Sequence, residues 1–210
     1  MNKTKKNIIL SAIRLFNENG VNNVLNQEIA DATGISLSNY NYHFKGRESL
    51  INTIGEYMRG VLEERLSENK ILTEEGLVLK VAKIFIEFEA EFRFFYLETH
   101  NILQSYPSLR TGMIEETQKV IQMITNLNYM AIGMGYLRLE PPDAAGLYNH
   151  LAVQLWINNH YWFAQEYIRG LTDTQSLQKG LEASYYLMYP YLTEKGKEVY
   201  KEYMDVHIEN

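Results

Sequence analysis

The chain has 210 residues with a formal net charge of −6, and 46% of its residues are hydrophobic. This length exceeds that of one small domain and suits a small domain joined to a larger one. Because cysteine is absent and no early apolar run of the signal-peptide type is present, we expect a cytoplasmic protein without disulfides or thiolate metal sites.

Signals for helix ends recur along the chain, whereas signals for strands are absent, so the predicted fold class is all-α. The first helix is expected over residues 5–19, where Gly20 ends it. Two short helices follow within residues 26–43, and a fourth runs over about 47–66. Thr73 is expected to cap a long helix that continues to about residue 98, and Thr172 to begin the capping box of a later one. The remaining helices are predicted at about 109–134, 143–169, 172–189 and 194–206.

The segment from residue 26 to residue 44 contains two short helices separated by a glycine turn. Asn26 is expected to cap the first helix, Gly34 to end it in the left-handed conformation, and Ser36 to cap the second. Ile29, Ala30, Thr33, Ile35 and Tyr40 supply the inward positions. The outward positions of the second helix are polar: Ser38, Asn39, Asn41, Tyr42 and His43. Because such side chains match base edges and phosphate oxygens, the pattern predicts a helix-turn-helix for the major groove of DNA.

At these residues the chain resembles the TetR family of bacterial transcriptional regulators. The matching positions, from about residue 8 to 50, are Ala12, Leu15, Phe16, Gly20, Glu28-Ile29-Ala30, Gly34-Ile35-Ser36, Tyr42-His43-Phe44, Lys45, Arg47, Glu48 and Leu50. The resemblance implies an all-helical homodimer, in which a three-helix helix-turn-helix head joins a larger, variable part that binds an inducer and forms the dimer. We therefore assign DNA binding to residues 1–48, and ligand binding and dimerisation to residues 49–210.

Geometry and the resemblance together give candidate DNA contacts. A helix of about seven residues is only some 10 Å long, so its N-terminal half enters the groove while flanking residues grip the backbone. The candidates for base edges are Gln27, Leu37, Ser38, Asn39 and Tyr42. The candidates for phosphates are Asn26, Asn41, His43 and Lys45. Tyr40 and Phe44 are expected to be core residues.

The predicted recognition helix departs from the family pattern at two pairs of residues. The family usually has a basic residue and glycine where this chain has Leu37-Ser38, and Leu-Tyr where it has Tyr40-Asn41. Losing a cation and a phenol weakens contact with phosphates, so no relative's operator can be carried over. The lysines at positions 3, 5 and 6 could compensate as an N-terminal arm, or they form a solubilising tail.

Charge is distributed unevenly between the two predicted parts. Residues 1–48 carry a net charge of +2, and the remainder therefore carries −8. A basic tip on an acidic body is oriented by the field of a polyanion, although a net charge of +2 on the tip also arises by chance.

Aromatic residues mark the larger part. Phe85, Phe88, Phe92, Phe95 and Tyr96 recur on one face of the predicted helix that ends near residue 98. Large rings on facing helices either bound a cavity for an apolar or cationic ligand or form a plain core. The candidate ligand pocket consists of Phe88, Phe92, Phe95, Tyr96, Trp156 and Trp162.

The helix predicted at 143–169 has apolar residues around much of its circumference, which indicates packing against both its own chain and a twin. Together with the helix at 174–189 it is the expected homodimer interface. Its uncharged stretch over residues 144–165 contains several asparagine, glutamine and histidine residues, so a buried helix is expected rather than a membrane span.

The function predicted from these features is repression with release by a small-molecule inducer, in which the fourth helix acts as a lever between DNA head and body. An enzyme is disfavoured because no glycine-rich phosphate loop and no histidine–carboxylate set at metal spacing is found, and no cofactor is expected. The alternative is a helical protein-binding adaptor that keeps the fold without specific operator binding.

Overall fold

The computed structural model describes residues 2–68, 77–170 and 173–208. Within these ranges the regular structure is helical apart from one isolated β-bridge, and the all-α prediction is confirmed. The helices are α1 (Lys3–Asn19), α2 (Asn26–Thr33), α3 (Leu37–His43), α4 (Arg47–Glu68), α5 (Leu77–Glu91), α6 (Arg93–Ser105), α7 (Ser108–Gly133), α8 (Leu147–His160), α9 (Trp162–Arg169), α10 (Asp173–Met188) and α11 (Glu194–Ile208). The predicted caps Thr73 and Thr172 lie outside the described residues.

The chain divides into two compact units, which we call the head and the body. The head consists of Met1–Glu63 and Phe92–Met113, and the body consists of Glu64–Glu91 and Ile114–Asn210. The head thus contains the predicted DNA-binding segment 1–48 together with α6. Both α4 and α7 begin in the head and continue into the body.

The core of the head forms where α1 packs on α2 and α6, and α2 packs on α3. Its fully buried side chains include Ile8, Ile9, Ala12, Ile29, Ala30, Tyr40, Phe44 and Leu50. Phe16 of α1 is also buried, and its ring lies 5.4 Å from the ring of Phe94 on α6. Burial of these apolar groups at the predicted helical spacing is what holds the short helices together, because isolated helices of seven or eight residues are not stable in water.

The prediction of a single long helix that ends near residue 98 is wrong, because the chain forms two helices there. Phe92 between α5 and α6 has φ −110° and ψ 34°, outside the helical region. The backbone N–H of Phe94 donates to the Asn17 side-chain oxygen of α1 at 2.9 Å. A tertiary hydrogen bond therefore satisfies a donor next to the break, and no proline or glycine is needed to end the helix.

The helix predicted at 143–169 also differs in the structure, since it begins later and is interrupted. The Glu140 carboxylate accepts from the N–H groups of Gly146 and Tyr148 at 3.1 Å each, which fixes the start of α8 at Leu147. Those two hydrogen bonds lower the pKa of Glu140. At the far end Tyr161 is non-helical, and α9 begins after it.

In the body, α10 packs against α5, α8, α9 and α11. The Trp162 indole N–H donates to the Ser176 carbonyl oxygen at 2.8 Å, and its ring passes over Gly180, where a Cβ would lie 3.0 Å from Nε1. At the body's other end a Cβ on Gly196 would lie only 2.1 Å from the Tyr136 carbonyl oxygen. Both glycines thus permit close approach of neighbouring elements.

Candidate DNA-binding surface

The helix α3 presents one buried and one exposed side. Tyr40 and the following Phe44 are completely buried, and their rings lie 5.9 Å apart. Tyr42 is 81% exposed. Of the other predicted outward residues of the helix, Ser38, Asn39 and Asn41 are exposed and His43 is half-buried. The side chains predicted for DNA contact are therefore accessible, while the two predicted core residues are in the core.

Local hydrogen bonds position this helix. The Ser36 hydroxyl accepts from the Asn39 N–H at 3.2 Å, as predicted for the cap of α3. Gly34 has φ +74° and ends α2 in the left-handed conformation, also as predicted. The N–H of Ile35 then donates to the Ala30 carbonyl oxygen at 3.0 Å, which closes the turn between the two helices.

The prediction that Asn26 caps α2 is wrong. The capping position is occupied by Leu25, whose backbone N–H donates to the Glu28 carboxylate at 2.6 Å. Asn26 is instead the first helical residue, and its side-chain oxygen accepts from the Tyr40 hydroxyl at 3.1 Å. An asparagine at this position therefore links α2 to α3 rather than capping its own helix.

The candidates that flank the turn differ in their surroundings. The Gln27 amide nitrogen donates to Asp31 at 2.6 Å, and Leu37 is 37% exposed. His43 is half-buried, with its ring edge-on to Tyr42 at 5.3 Å between centroids. Lys45 is exposed. These positions are compatible with DNA contact, and their individual roles stay predictions.

The N-terminal lysines form neither a free arm nor a tail. Lys3, Lys5 and Lys6 all belong to α1, which begins two residues earlier than predicted because Asn2 caps it by accepting the Lys5 N–H at 2.8 Å. The Lys5 ammonium lies 5.3 Å from the centre of the Phe44 ring, which follows α3. This cation is therefore fixed beside the recognition helix.

Sequence reasoning missed the polar residues that join α6 to the helix-turn-helix. The Glu98 carboxylate accepts from the Val21 N–H at 3.0 Å, 77 positions away in sequence. Gly20 makes room for it, since a Cβ there would lie 2.9 Å from the carboxylate oxygen. Arg47 donates to the Val24 carbonyl oxygen and lies 5.1 Å above the Phe16 ring. No local sequence pattern marks such long-range pairs.

The candidate ligand residues are divided between the two units. Phe92, Phe95 and Tyr96 belong to the head, and Phe88, Trp156 and Trp162 to the body, so the aromatic residues do not form one continuous helical face. The body contains a small, partly open cavity of about 10 Å³ between α5, α7 and α8. It is lined by Val78, Val81, Ala82, Phe85, Ile124, Leu127, Leu155 and Asn159, and not by the six predicted residues.

Glu89 and His160 are buried ionisable groups elsewhere in the body. Burial raises the pKa of the Glu89 carboxyl well above its usual value. Burial likewise lowers the pKa of His160 to about 4, and this imidazole stacks on Trp156 with 4.9 Å between ring centres. Within the described ranges no three histidine, aspartate or glutamate residues are grouped to hold a metal ion. None of the described helices is long and apolar enough to cross a membrane.

Comparisons with known proteins identify the family of this chain. A family model described as TetR, a bacterial transcriptional repressor, matches residues 58–200. The uncharacterized HTH-type transcriptional regulator YerO of Bacillus subtilis strain 168 is 30% identical over 149 residues, which are 66% of this chain and 50% of that protein. The chain thus spans about half the length of this curated relative.

Solved structures show the same fold. A TetR-family regulator from Marinobacter aquaeolei VT8 superposes with a TM-score of 0.83 at 23% identity, covering 99% of both chains. AibR, solved with isovaleryl coenzyme A and operator DNA, superposes with a TM-score of 0.64 at 18% identity over 85% of this chain and 96% of its own. The fold is that of the TetR-family regulators. The chain belongs to the TetR family of bacterial transcriptional regulators.

Proposed function

We propose that this chain is a cytoplasmic repressor that binds an operator as a homodimer and is released from it by a small-molecule inducer. The exposed polar face of α3 carries the proposal. Asn39 and Tyr42 point away from the core, whereas Tyr40 and Phe44 anchor the helix from beneath. Amides and hydroxyls held rigidly on a short exposed helix are suited to read base edges in the major groove.

A homodimer is supported by apolar residues that remain exposed on the body of one chain. On α8 to α10 the exposed residues include Ile157, Tyr161, Tyr167, Ile168 and Tyr186. We infer that a twin chain covers these residues, because large exposed apolar patches mark interaction sites. A two-fold pair would also place two recognition helices about one turn of DNA apart, near 34 Å, and so add the affinity that one short helix lacks.

Release by an inducer is supported by a small cavity within the body that a ligand could enlarge. The cavity of about 10 Å³ between α5, α7 and α8 has room for about one water molecule, so a larger ligand has to enlarge it. A ligand that binds the enlarged form of the body better than the described form shifts the population toward it. The helices α4 and α7 continue from the body into the head. Such a change would therefore alter the spacing of the two heads in the dimer and weaken operator binding, typically 5–150-fold. AibR, with its acyl coenzyme A and operator, shows that this fold accommodates both kinds of partner.

The test of operator binding is titration of the purified chain on the DNA upstream of its own gene, with a scrambled duplex of equal composition. We expect the upstream duplex to bind at least about 1,000-fold more tightly, with an affinity that falls as salt rises. A salt-dependent affinity that is equal for both duplexes would refute specific repression.

Two substitutions test whether residues of the head contact the operator. Tyr42→Ala and Lys45→Ala should each weaken operator binding about 10-fold, by loss of a base contact and of a phosphate contact. Lys201→Ala on α11 removes the same charge from the body and serves as the control. Unchanged operator binding in both head variants would favour the protein-binding adaptor instead.

The proposed dimer interface is tested by substitutions at two exposed residues of the body. Tyr186→Glu places a charge on the exposed apolar surface of α10, and Leu139→Glu places the same charge on an equally exposed residue outside the helices. We expect sedimentation to give a monomer for Tyr186→Glu and a dimer for Leu139→Glu. A dimer in both variants would contradict an interface through α10.

A further inference from the structure

We infer that Tyr40 is a positioning residue for DNA binding: its hydroxyl holds the Asn26 amide with the –NH₂ group outward, as a donor to a backbone phosphate. The inference rests on the proposed operator binding. Its starting point is the hydrogen bond from the Tyr40 hydroxyl on α3 to Asn26 Oδ1 on α2, at 3.1 Å.

The Tyr40 hydroxyl is not required for packing. The residue is completely buried and its ring packs against Phe44, so the ring rather than the hydroxyl fills the core. A buried hydroxyl without a partner would cost about 1–3 kcal/mol. Burial raises the pKa of Tyr40, so the phenol keeps its proton and acts as the donor.

The planar amide of Asn26 then has one orientation. Because Oδ1 faces the Tyr40 hydroxyl, Nδ2 lies on the opposite side of the amide and carries two N–H groups. Among the described residues Nδ2 has no hydrogen-bond partner, and Asn26 is half-buried with one side open to solvent. An outward amide donor suits a phosphate oxygen, whereas the reversed amide would present a carbonyl oxygen and repel it.

Tyr40 directly precedes the exposed Asn41 on α3 and lies on the buried side of that helix. The phenol therefore lies inside the head and cannot reach DNA. Through Asn26 its hydroxyl still determines a contact with the backbone, so the phenol acts indirectly.

A double-mutant cycle tests this coupling. The wild type, Tyr40→Phe, Asn26→Ala and the double variant are titrated with an operator duplex and with an arbitrary duplex, because phosphate contacts are independent of sequence. We expect Asn26→Ala to weaken binding about 10-fold or more and Tyr40→Phe about 5-fold. In the double variant the loss should equal that of Asn26→Ala within about twofold, because Tyr40 acts through Asn26.

Controls separate this role from folding. Tyr200→Phe removes a buried hydroxyl without a hydrogen-bond partner from the body and should leave DNA affinity unchanged. Asn26→Asp keeps the acceptor for Tyr40 but replaces the outward donor with a carboxylate, and it should weaken binding more than Asn26→Ala does. Melting temperatures measured for every variant should change by no more than a few degrees.

The outcomes are distinct. Wild-type affinity in Tyr40→Phe, or effects of the two substitutions that simply multiply, would overturn the inference even if the operator is bound specifically. Absence of sequence preference in the wild type would overturn the proposed repression, while the cycle on the arbitrary duplex would still decide the role of Tyr40. No DNA binding at all would overturn both.

Discussion

Among the described residues, the head and the body of this chain differ in how many buried side-chain polar atoms lack a hydrogen-bond partner. In the head, tertiary hydrogen bonds join the helices: Asn17 to α6, Glu98 to Val21, and Tyr40 to Asn26. Of the five buried side-chain atoms without a hydrogen-bond partner in the described part of the chain, only Arg47 Nη1 is in the head. The other four are in the body, on Glu89, Asn128, Glu166 and Tyr200.

This difference indicates two structural roles. Satisfied polar contacts specify one arrangement of the head, which is what a reader of base edges requires. Each unsatisfied buried group costs about 1–3 kcal/mol. The described arrangement of the body is therefore less stable than its packing alone would make it. A body of that kind can be shifted to another arrangement by a ligand of modest affinity.

The largest effect is expected where the body is packed most tightly. Gly196→Ala would place a Cβ 2.1 Å from the Tyr136 carbonyl oxygen, so we expect the free energy of unfolding to fall by more than about 3 kcal/mol. Urea denaturation followed by circular dichroism measures it. Gly133→Ala, where no atom lies within 4 Å, is the matched control and should change it by less than about 1 kcal/mol. Equal midpoints for the two variants would contradict the packing argument.

His160 in the body is expected to lower the free energy of unfolding by about 3 kcal/mol at low pH. Its pKa is about 4 in the folded protein and near 6.5 when unfolded, so the unfolded chain binds the proton more tightly. This contribution to stability is complete above pH 6.5 and is lost as the pH falls toward 4. His160→Gln should flatten the dependence in denaturation series between pH 4 and 7. The exposed His150→Gln on the same helix should behave as the wild type does, and a parallel loss in both variants would assign the effect elsewhere.

In the head, Glu98→Ala should lower the free energy of unfolding by about 2 kcal/mol. The carboxylate accepts from the Val21 N–H, and hydrogen bonds to charged groups contribute about 1.5–3 kcal/mol. Glu98→Gln retains an acceptor oxygen and should lower the free energy of unfolding by less than half as much as Glu98→Ala does. Thermal unfolding of both variants provides the measurement, and equal destabilisation would show that the hydrogen bond is not the cause.

The smallest effect, about 1 kcal/mol, is expected for Glu89→Gln, and here the sign is stabilising. Because burial raises the pKa of Glu89, the folded chain retains a proton that the unfolded chain releases, and its stability falls as the pH rises above 4.5. The gain from the substitution should therefore be larger at pH 8 than at pH 5. The exposed Glu87→Gln, on the same helix, should give no such gain; a gain that does not vary with pH would contradict this explanation.

Much of the candidate DNA-binding surface could be predicted because its signals are local. Ser36 as a cap, Gly34 in the left-handed conformation, and inward Tyr40 against outward Tyr42 all follow from neighbours within one or two helical turns. The role of Asn26 could not be predicted in this way. Its partner, Tyr40, is 14 residues away and belongs to another helix.

The sequence alone determined the helical class, most helix ends and the face that the recognition helix exposes, because hydrophobic period and capping act over a few residues. Only the tertiary structure decided that the predicted helices are interrupted at Phe92 and Tyr161, that α6 belongs to the head, and that Glu140 fixes the start of α8. The physical reason is that a backbone donor or acceptor freed at such a point must find a partner, and that partner is supplied by packing rather than by the adjacent sequence.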